Sequence, residues 1–293
     1  MHLTAQKKGI IALVALAWVF ATMGVFARYL STEFALFEQT YLRIGLAFLI
    51  GVMLFYPKCD WGKIYTLPGR DWLILTFRAV CLYLAVVMIT EAFLHTKYSN
   101  ATFAASLPLL PLFGYFLLKE KIKLRTVAYI ILGFAGLAIM TLNEVSWFGF
   151  GYGEIVAFGS LILFDLSYVS RKWHSAHLNN YEITVVMFAI GAVFLFVTSL
   201  SVGEGLPSAG QFSILTLAIL AVAALFNVAN LILTNYGFQN SKAAVAGNIL
   251  ALEAVFALLY GLTIFDETLT SREVIGSVLI FSSIYFVNRS ETE

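Results

Sequence analysis

Apolar residues in this chain come in long runs broken by short polar or charged turns. A bilayer core about 30 Å thick needs roughly 20 apolar residues per helix. Ten runs approach that length: Gly9–Leu30, Phe34–Tyr56, Asp71–Leu94, Ala101–Leu118, Leu124–Leu142, Gly153–Lys172, Tyr181–Val202, Phe212–Tyr236, Ala243–Phe265 and Ser271–Val287. The pattern also repeats. SLPLLPLFGYFLLKEKIKLRT (Ser106–Thr126) is echoed by LEAVFALLYGLTIFDETLTSRE (Leu252–Glu273), each an apolar run closing on a charged turn. In each copy a glutamate (Glu120, Glu267) precedes an arginine (Arg125, Arg272) by five positions, and the copies lie 147 residues apart. Such a period predicts a five-helix unit written twice, over residues 1–147 and 148–293. The fold class expected is therefore all-α, ten transmembrane helices in two repeats. Most connections are short, which suits antiparallel neighbours.

Composition supports this. Hydrophobic residues make up 60% of the chain and charged residues 12%, against about 45–50% and about 25% in soluble domains. So much apolar surface makes the lipid bilayer the expected solvent. A net charge of +1 argues against nucleic acid as a partner. Cys59 and Cys81 are too few for a zinc site, and Cys81 falls inside an apolar run, so both read as small buried or interfacial side chains. The start, MHLTAQKKG, resembles the basic region of a signal peptide. The apolar run after it, Ile10–Phe26, is longer than a signal core and lacks a clear cleavage site, so it reads as an uncleaved first helix.

Charge in the loops predicts orientation. With the amino terminus inside, 13 lysines and arginines fall on the inner side and 3 (Arg28, Lys97, Arg272) on the outer side, while Arg43 and Arg78 lie within helices. The bias predicts both termini in the cytoplasm, in a cytoplasmic (inner) membrane of bacterial type. Five helices per repeat is an odd number, so the second unit must enter from the opposite side. The repeats are then inverted, a plan of secondary transporters whose site lies near the midplane at the repeat interface. Gly9 and Gly153, and Glu38 and Glu182, align between the halves at a constant offset of 144.

Ten helices as two inverted fives, the charged block closing each half, Trp18 in the first helix and Arg43 in the second (YLRIGLAFL) resemble the drug/metabolite transporter superfamily in its EamA branch. Within that superfamily FEQTYLR, FRAV, Asp165 and Glu253 are similar to the S-adenosylmethionine-transporter-like group. The resemblance implies secondary transport of a small metabolite. One departure is visible: the family often has proline after the acidic residue of the ninth helix, and here Ala254 follows Glu253. The fourth helix keeps Pro108 and Pro111, so a kinked element is expected in the first half alone.

Ionisable side chains inside a span cost about 2.5–3.5 kcal/mol each and tend to face a cavity or a partner. Arg43, Arg78, Asp165 and Glu253 are the candidates, with the arginines in the first half and the carboxylates in the second. Opposite charges on facing walls suit a zwitterionic or amino-acid-like solute. The same carboxylates are candidates for a coupling proton, because desolvation disfavours their charged form. The bland readings are an Arg43–Glu253 structural pair, and Asp165 paired with Arg171 or Lys172. Asn227, Asn230 and Thr234 share one face of the eighth helix and bind solute or glue helices. Trp18 is a candidate ligand platform or an interface anchor. Gly133 and Gly136 allow close helix approach.

The metalloprotease, nucleophile-elbow and phosphate-loop motifs are missing from the sequence. No cofactor is called for, and no nucleotide-binding loop offers direct ATP drive. The chain therefore reads as a non-ATP transporter and not an enzyme. An intramembrane enzyme on lipid-linked substrates would need a nucleophile or metal cluster that the sequence does not show. A non-transporting scaffold or sensor would show no flux. Orientation is checked by a periplasm-active reporter: placed in the 143–152 linker it should give a strong signal, and fused after Glu293 none. The reverse pattern would overturn both the orientation and the inverted repeat.

Overall fold

The computed structural model describes residues 5–107, 109–121, 123–141, 151–175 and 177–292. Pro108 and most of the 143–152 linker lie outside these. Helices make up most of the described residues, and among these residues there is no strand. In chain order the helices are α1 (Ala5–Leu30), α2 (Leu36–Phe55), α3 (Trp61–Tyr65), α4 (Gly69–His95), α5 (Tyr98–Ala105), α6 (Leu110–Leu118), α7 (Leu124–Thr141), α8 (Tyr152–Ser170), α9 (Asn180–Ser201), α10 (Ile214–Asn240), α11 (Ala243–Leu250), α12 (Glu253–Ile264) and α13 (Ser271–Thr292). Among the described residues seven segments are long and apolar enough to cross a membrane, with Leu124–Gly136 and Glu253–Ile264 as shorter apolar helices.

The expected runs match these helices to within a few residues, with two exceptions. The fourth run is two helices, α5 and α6, separated at Ser106–Leu109. The ninth is also two, α11 and α12, and this corrects the expectation of a kink in the first half alone. No proline is needed there. Ala251 and Leu252 keep right-handed backbone angles. The hydrogen bonds tighten instead: Ala254 N donates to Ala251 O at 3.2 Å and Val255 N to Leu252 O at 3.0 Å, the i to i+3 spacing of a 3₁₀ turn.

The helices pack across the halves of the chain. α4 lies on α8, α1 on α10, α2 on α9 and α7 on α13. Small residues set the closest approaches: Gly136 of α7 faces the backbone of Gly276 on α13. Matching positions do matching work. Glu38 accepts from Ala35 N at 3.1 Å and Glu182 from Asn179 N at 2.7 Å, each closing the first turn of its helix, α2 and α9.

The two repeated blocks also fold alike. Lys119 and Asp266 take left-handed angles (φ 57 and φ 50) at the ends of α6 and α12. Each lets the next glutamate turn back: Glu120 N donates to Gly114 O at 3.1 Å, and Glu267 N to Gly261 O at 2.9 Å. The carboxylates then reach the other half. Glu267 accepts from Tyr98 N at 2.6 Å, Ser99 Oγ at 2.7 Å and Arg28 at 3.3 Å, capping α5. Glu120 lies against Gly114 and receives Lys172 Nζ at 2.6 Å. At the same end of the bundle as Glu267, Lys97 meets Glu273 at 2.7 Å.

A Cβ on Gly136 would stand 2.7 Å from Gly276 O and 3.0 Å from Ile280 Cγ1. Gly136→Leu should therefore destabilise the protein by about 1–3 kcal/mol through overpacking. Gly45 has nothing within 4 Å of that position, so Gly45→Leu is the control. Thermal unfolding in detergent should show a lower midpoint for the first variant only; equal midpoints would contradict the close contact of α7 and α13.

Candidate functional site

A cavity of about 100 Å³, room for several waters, lies at the centre of the bundle between the two helix breaks. Ala105, Ser106 and Leu107 line it from the first break, and Gly247, Leu250, Ala251 and Glu253 from the second. Irregular backbone at membrane depth is tolerated where it borders protein or a cavity.

Periodicity places the charged groups. On α2, Thr40, Ile44, Ala47 and Gly51 recur at three and four residues and form a buried stripe, with Arg43 on the same face. On α8, Ala157, Leu161, Phe164 and Tyr168 do the same beside Asp165. Glu253 is the first residue of α12, immediately after the break. Arg43, Asp165 and Glu253 thus reach one cavity from three helices.

Arg43 is 2% exposed, and its Nε and Nη2 have no hydrogen-bond partner. Among the described residues no ion pair joins it to Asp165 or Glu253, so the Arg43–Glu253 structural pair is absent from this state. Asp165 is 4% exposed with Oδ2 unpartnered. It does not take the basic neighbours expected for it: Arg171 donates to Asn180 Oδ1 at 2.6 Å and Lys172 pairs with Glu120.

The other candidates divide. Asn227 and Asn230 border the cavity, though Asn227 Nδ2 also donates to Ala223 O of its own helix at 3.0 Å. Thr234 is buried away from it, and the cross-helix bond is made instead by Asn235 Nδ2 to Thr184 Oγ1 at 2.8 Å. Trp18 is 44% exposed, packs on Phe226 at 5.5 Å, and is not among the residues lining the cavity. Arg78 is fully buried and likewise outside the lining; its Nε donates to Ser167 O at 3.0 Å while Nη1 and Nη2 are unpartnered.

The EamA-like transporter family model matches residues 7–142 and 151–289. The chain belongs to this family. It is 27% identical over 288 residues to an uncharacterized transporter of Archaeoglobus fulgidus, covering 95% of this chain and 96% of the relative. It is 26% identical over 290 residues to an uncharacterized transporter of Clostridium kluyveri, covering 94% and 91%. A solved crystal structure, 14% identical, shares the fold with a TM-score of 0.67 over 99% of this chain and 98% of that one. Seven apolar spans and family membership make this EamA-like protein an integral, multi-pass membrane protein.

Sequence reasoning about this EamA-like chain missed Tyr83, Tyr168 and Ser106, which border the cavity. Tyrosines inside apolar runs read as packing. Tyr83 OH and Ser106 Oγ are buried without partners, so both are available to a solute or to water. Tyr168 stacks on Phe238 at 4.6 Å, which fixes its ring.

His174 follows α8, half-buried, with Nε2 unpartnered. Burial, and then the charges of Arg78 and Arg171, hold its pKa down to about 3. The folded protein therefore keeps it neutral, while the unfolded chain protonates it near pH 6.5. Stability falls as pH drops below about 6.5 towards 3. His174→Gln should flatten the fall in unfolding midpoint between pH 7 and pH 5; an unchanged slope would show that His174 does not contribute.

Proposed function

We propose that this protein is a secondary transporter that moves a small zwitterionic, amino-acid-like metabolite by alternating access. Its working parts are two inverted five-helix repeats, residues 1–147 and 148–293. Several observations support the duplication. The family matches two successive stretches of similar length. The pairings α4 with α8 and α1 with α10 exchange under a two-fold operation, and α2 with α9 and α7 with α13 map onto themselves. Each half contains one broken helix, and the breaks meet at the cavity.

One observation carries the reading of the solute. Arg43 is a buried guanidinium with unpartnered nitrogens, in a cavity that also holds Asp165 and Glu253. An unpaired buried charge is strongly unfavourable, and a guanidinium presents a planar fork that fits a carboxylate. A zwitterion would place its carboxylate on Arg43 and its ammonium towards Asp165 or Glu253. Tyr83 OH and Ser106 Oγ offer further hydrogen bonds, and the apolar walls hold the rest of the molecule. Rocking of one repeat against the other would open the loaded cavity to each side in turn. Either carboxylate could carry a coupling proton in place of, or together with, the ammonium contact. Loop charge supports both termini in the cytoplasm of a cell bounded by an inner membrane.

Counterflow in proteoliposomes with a panel of radiolabelled amino acids, each matched with its descarboxy amine, tests this. Arg43→Lys keeps the charge and loses the fork. Apparent affinity for the transported amino acid should weaken about tenfold or more, from loss of a charge-assisted hydrogen bond of ~1.5–3 kcal/mol. The matched amine should compete equally with wild type and variant. Equal losses for both compounds would assign Arg43 to helix packing.

A further inference from the structure

A second, larger cavity of about 810 Å³ opens near the ends of α8 and α10 and the start of α9. Four cations line it, Lys63, Arg171, Lys172 and Lys242, together with His174 and Ser241, and among the described residues no carboxylate lines it. The nearby carboxylates are each held by a residue of its rim. Glu120 holds Lys172 at 2.6 Å, Asp71 accepts from Ser175 Oγ at 2.7 Å, and Asp60 sits 4.0 Å from Lys63 while accepting from Lys63 N at 3.4 Å. Glu182 accepts from the backbone of Asp60 and Asn179 at 2.8 Å and 2.7 Å.

Among the described residues Arg171 and Lys242 are left without a carboxylate. Arg171 is 6% exposed with Nε unpartnered, and Ser241 is 8% exposed with Oγ unpartnered. Two buried donors, an exposed lysine and a neutral imidazole nitrogen therefore border this open space without a carboxylate of their own. Arrays of this kind stabilise anionic oxygens.

We propose that this basic vestibule is a second binding site, for an anionic oxygen group such as a phosphate or carboxylate. Arg78 is within electrostatic reach of Arg171 and His174, which line the vestibule, and of Tyr83 and Tyr168, which line the central cavity. The same site accepts either a free anion or the phosphate of a lipid headgroup. Binding itself does not depend on the transport reading, so the test below measures binding and not flux.

The full-length protein is placed in phosphatidylcholine nanodiscs, and inorganic phosphate is titrated at constant ionic strength by microscale thermophoresis. Lys242 is exposed, so Lys242→Gln is expected to fold normally. Saturable phosphate binding that weakens at least about fivefold in Lys242→Gln identifies a site for free anions. In parallel, protein extracted from phosphatidylglycerol-containing membranes is examined by native mass spectrometry. Retention of phosphatidylglycerol by the wild type and its loss in Lys242→Gln, without saturable phosphate binding, identifies a headgroup site. Neither signal, or signals equal in wild type and Lys242→Gln, overturns the proposal.

Discussion

A chain that crosses hydrocarbon must satisfy its backbone and its charges from within. That constraint organises this protein. The outer surfaces of α1, α4 and α10 are apolar, and the polar groups are drawn to two kinds of place. At the helix ends, carboxylates close first turns or meet lysine and arginine: Glu38, Glu182, Glu267 and Glu273 all do so. At the centre, where two helices break, Arg43, Asp165 and Glu253 lie around a cavity without meeting one another. These end carboxylates are partnered, and the central charged groups are not. An unfilled demand at the centre is what a binding site requires.

The repeated glutamate blocks link these regions. Glu267 belongs to the second half but caps α5 of the first, and Glu120 of the first half holds Lys172 of the second. The start of α5 and the turns after α6 and α12 thus each carry a contact with the opposite half. The left-handed residues Lys119 and Asp266 permit the turns that deliver both carboxylates.

Much of this was legible in the sequence. Helix positions followed from apolar run length, and the like turns after α6 and α12 from the matching blocks around Glu120 and Glu267. Arg43, Asp165, Glu253 and Asn230 were found because a polar group inside a span is costly and so conspicuous. The break at Ala251–Leu252 was not legible: it is a local change from α to 3₁₀ hydrogen bonding in a proline-free stretch with good helix formers. Tyr83 and Tyr168 were hidden because an aromatic ring reads the same whether it faces lipid, core or cavity. Arg78 and Trp18 show the opposite limit. Sequence marks a residue as unusual for a span, but its helix face is set by packing. Arg78 donates to Ser167 O of α8, and Trp18 packs on Phe226 and is part-exposed.

The central claim is that the anion missing from Arg43 arrives with the solute. The most direct measurement is a cryo-EM structure of the transporter loaded with whichever amino acid gives counterflow. The account predicts the solute carboxylate hydrogen-bonded to the Arg43 guanidinium, with N to O distances of about 2.7–2.9 Å, and the ammonium facing Asp165 or Glu253. A loaded structure in which Arg43 instead pairs with Asp165 or Glu253, and the solute carboxylate lies elsewhere, would contradict it.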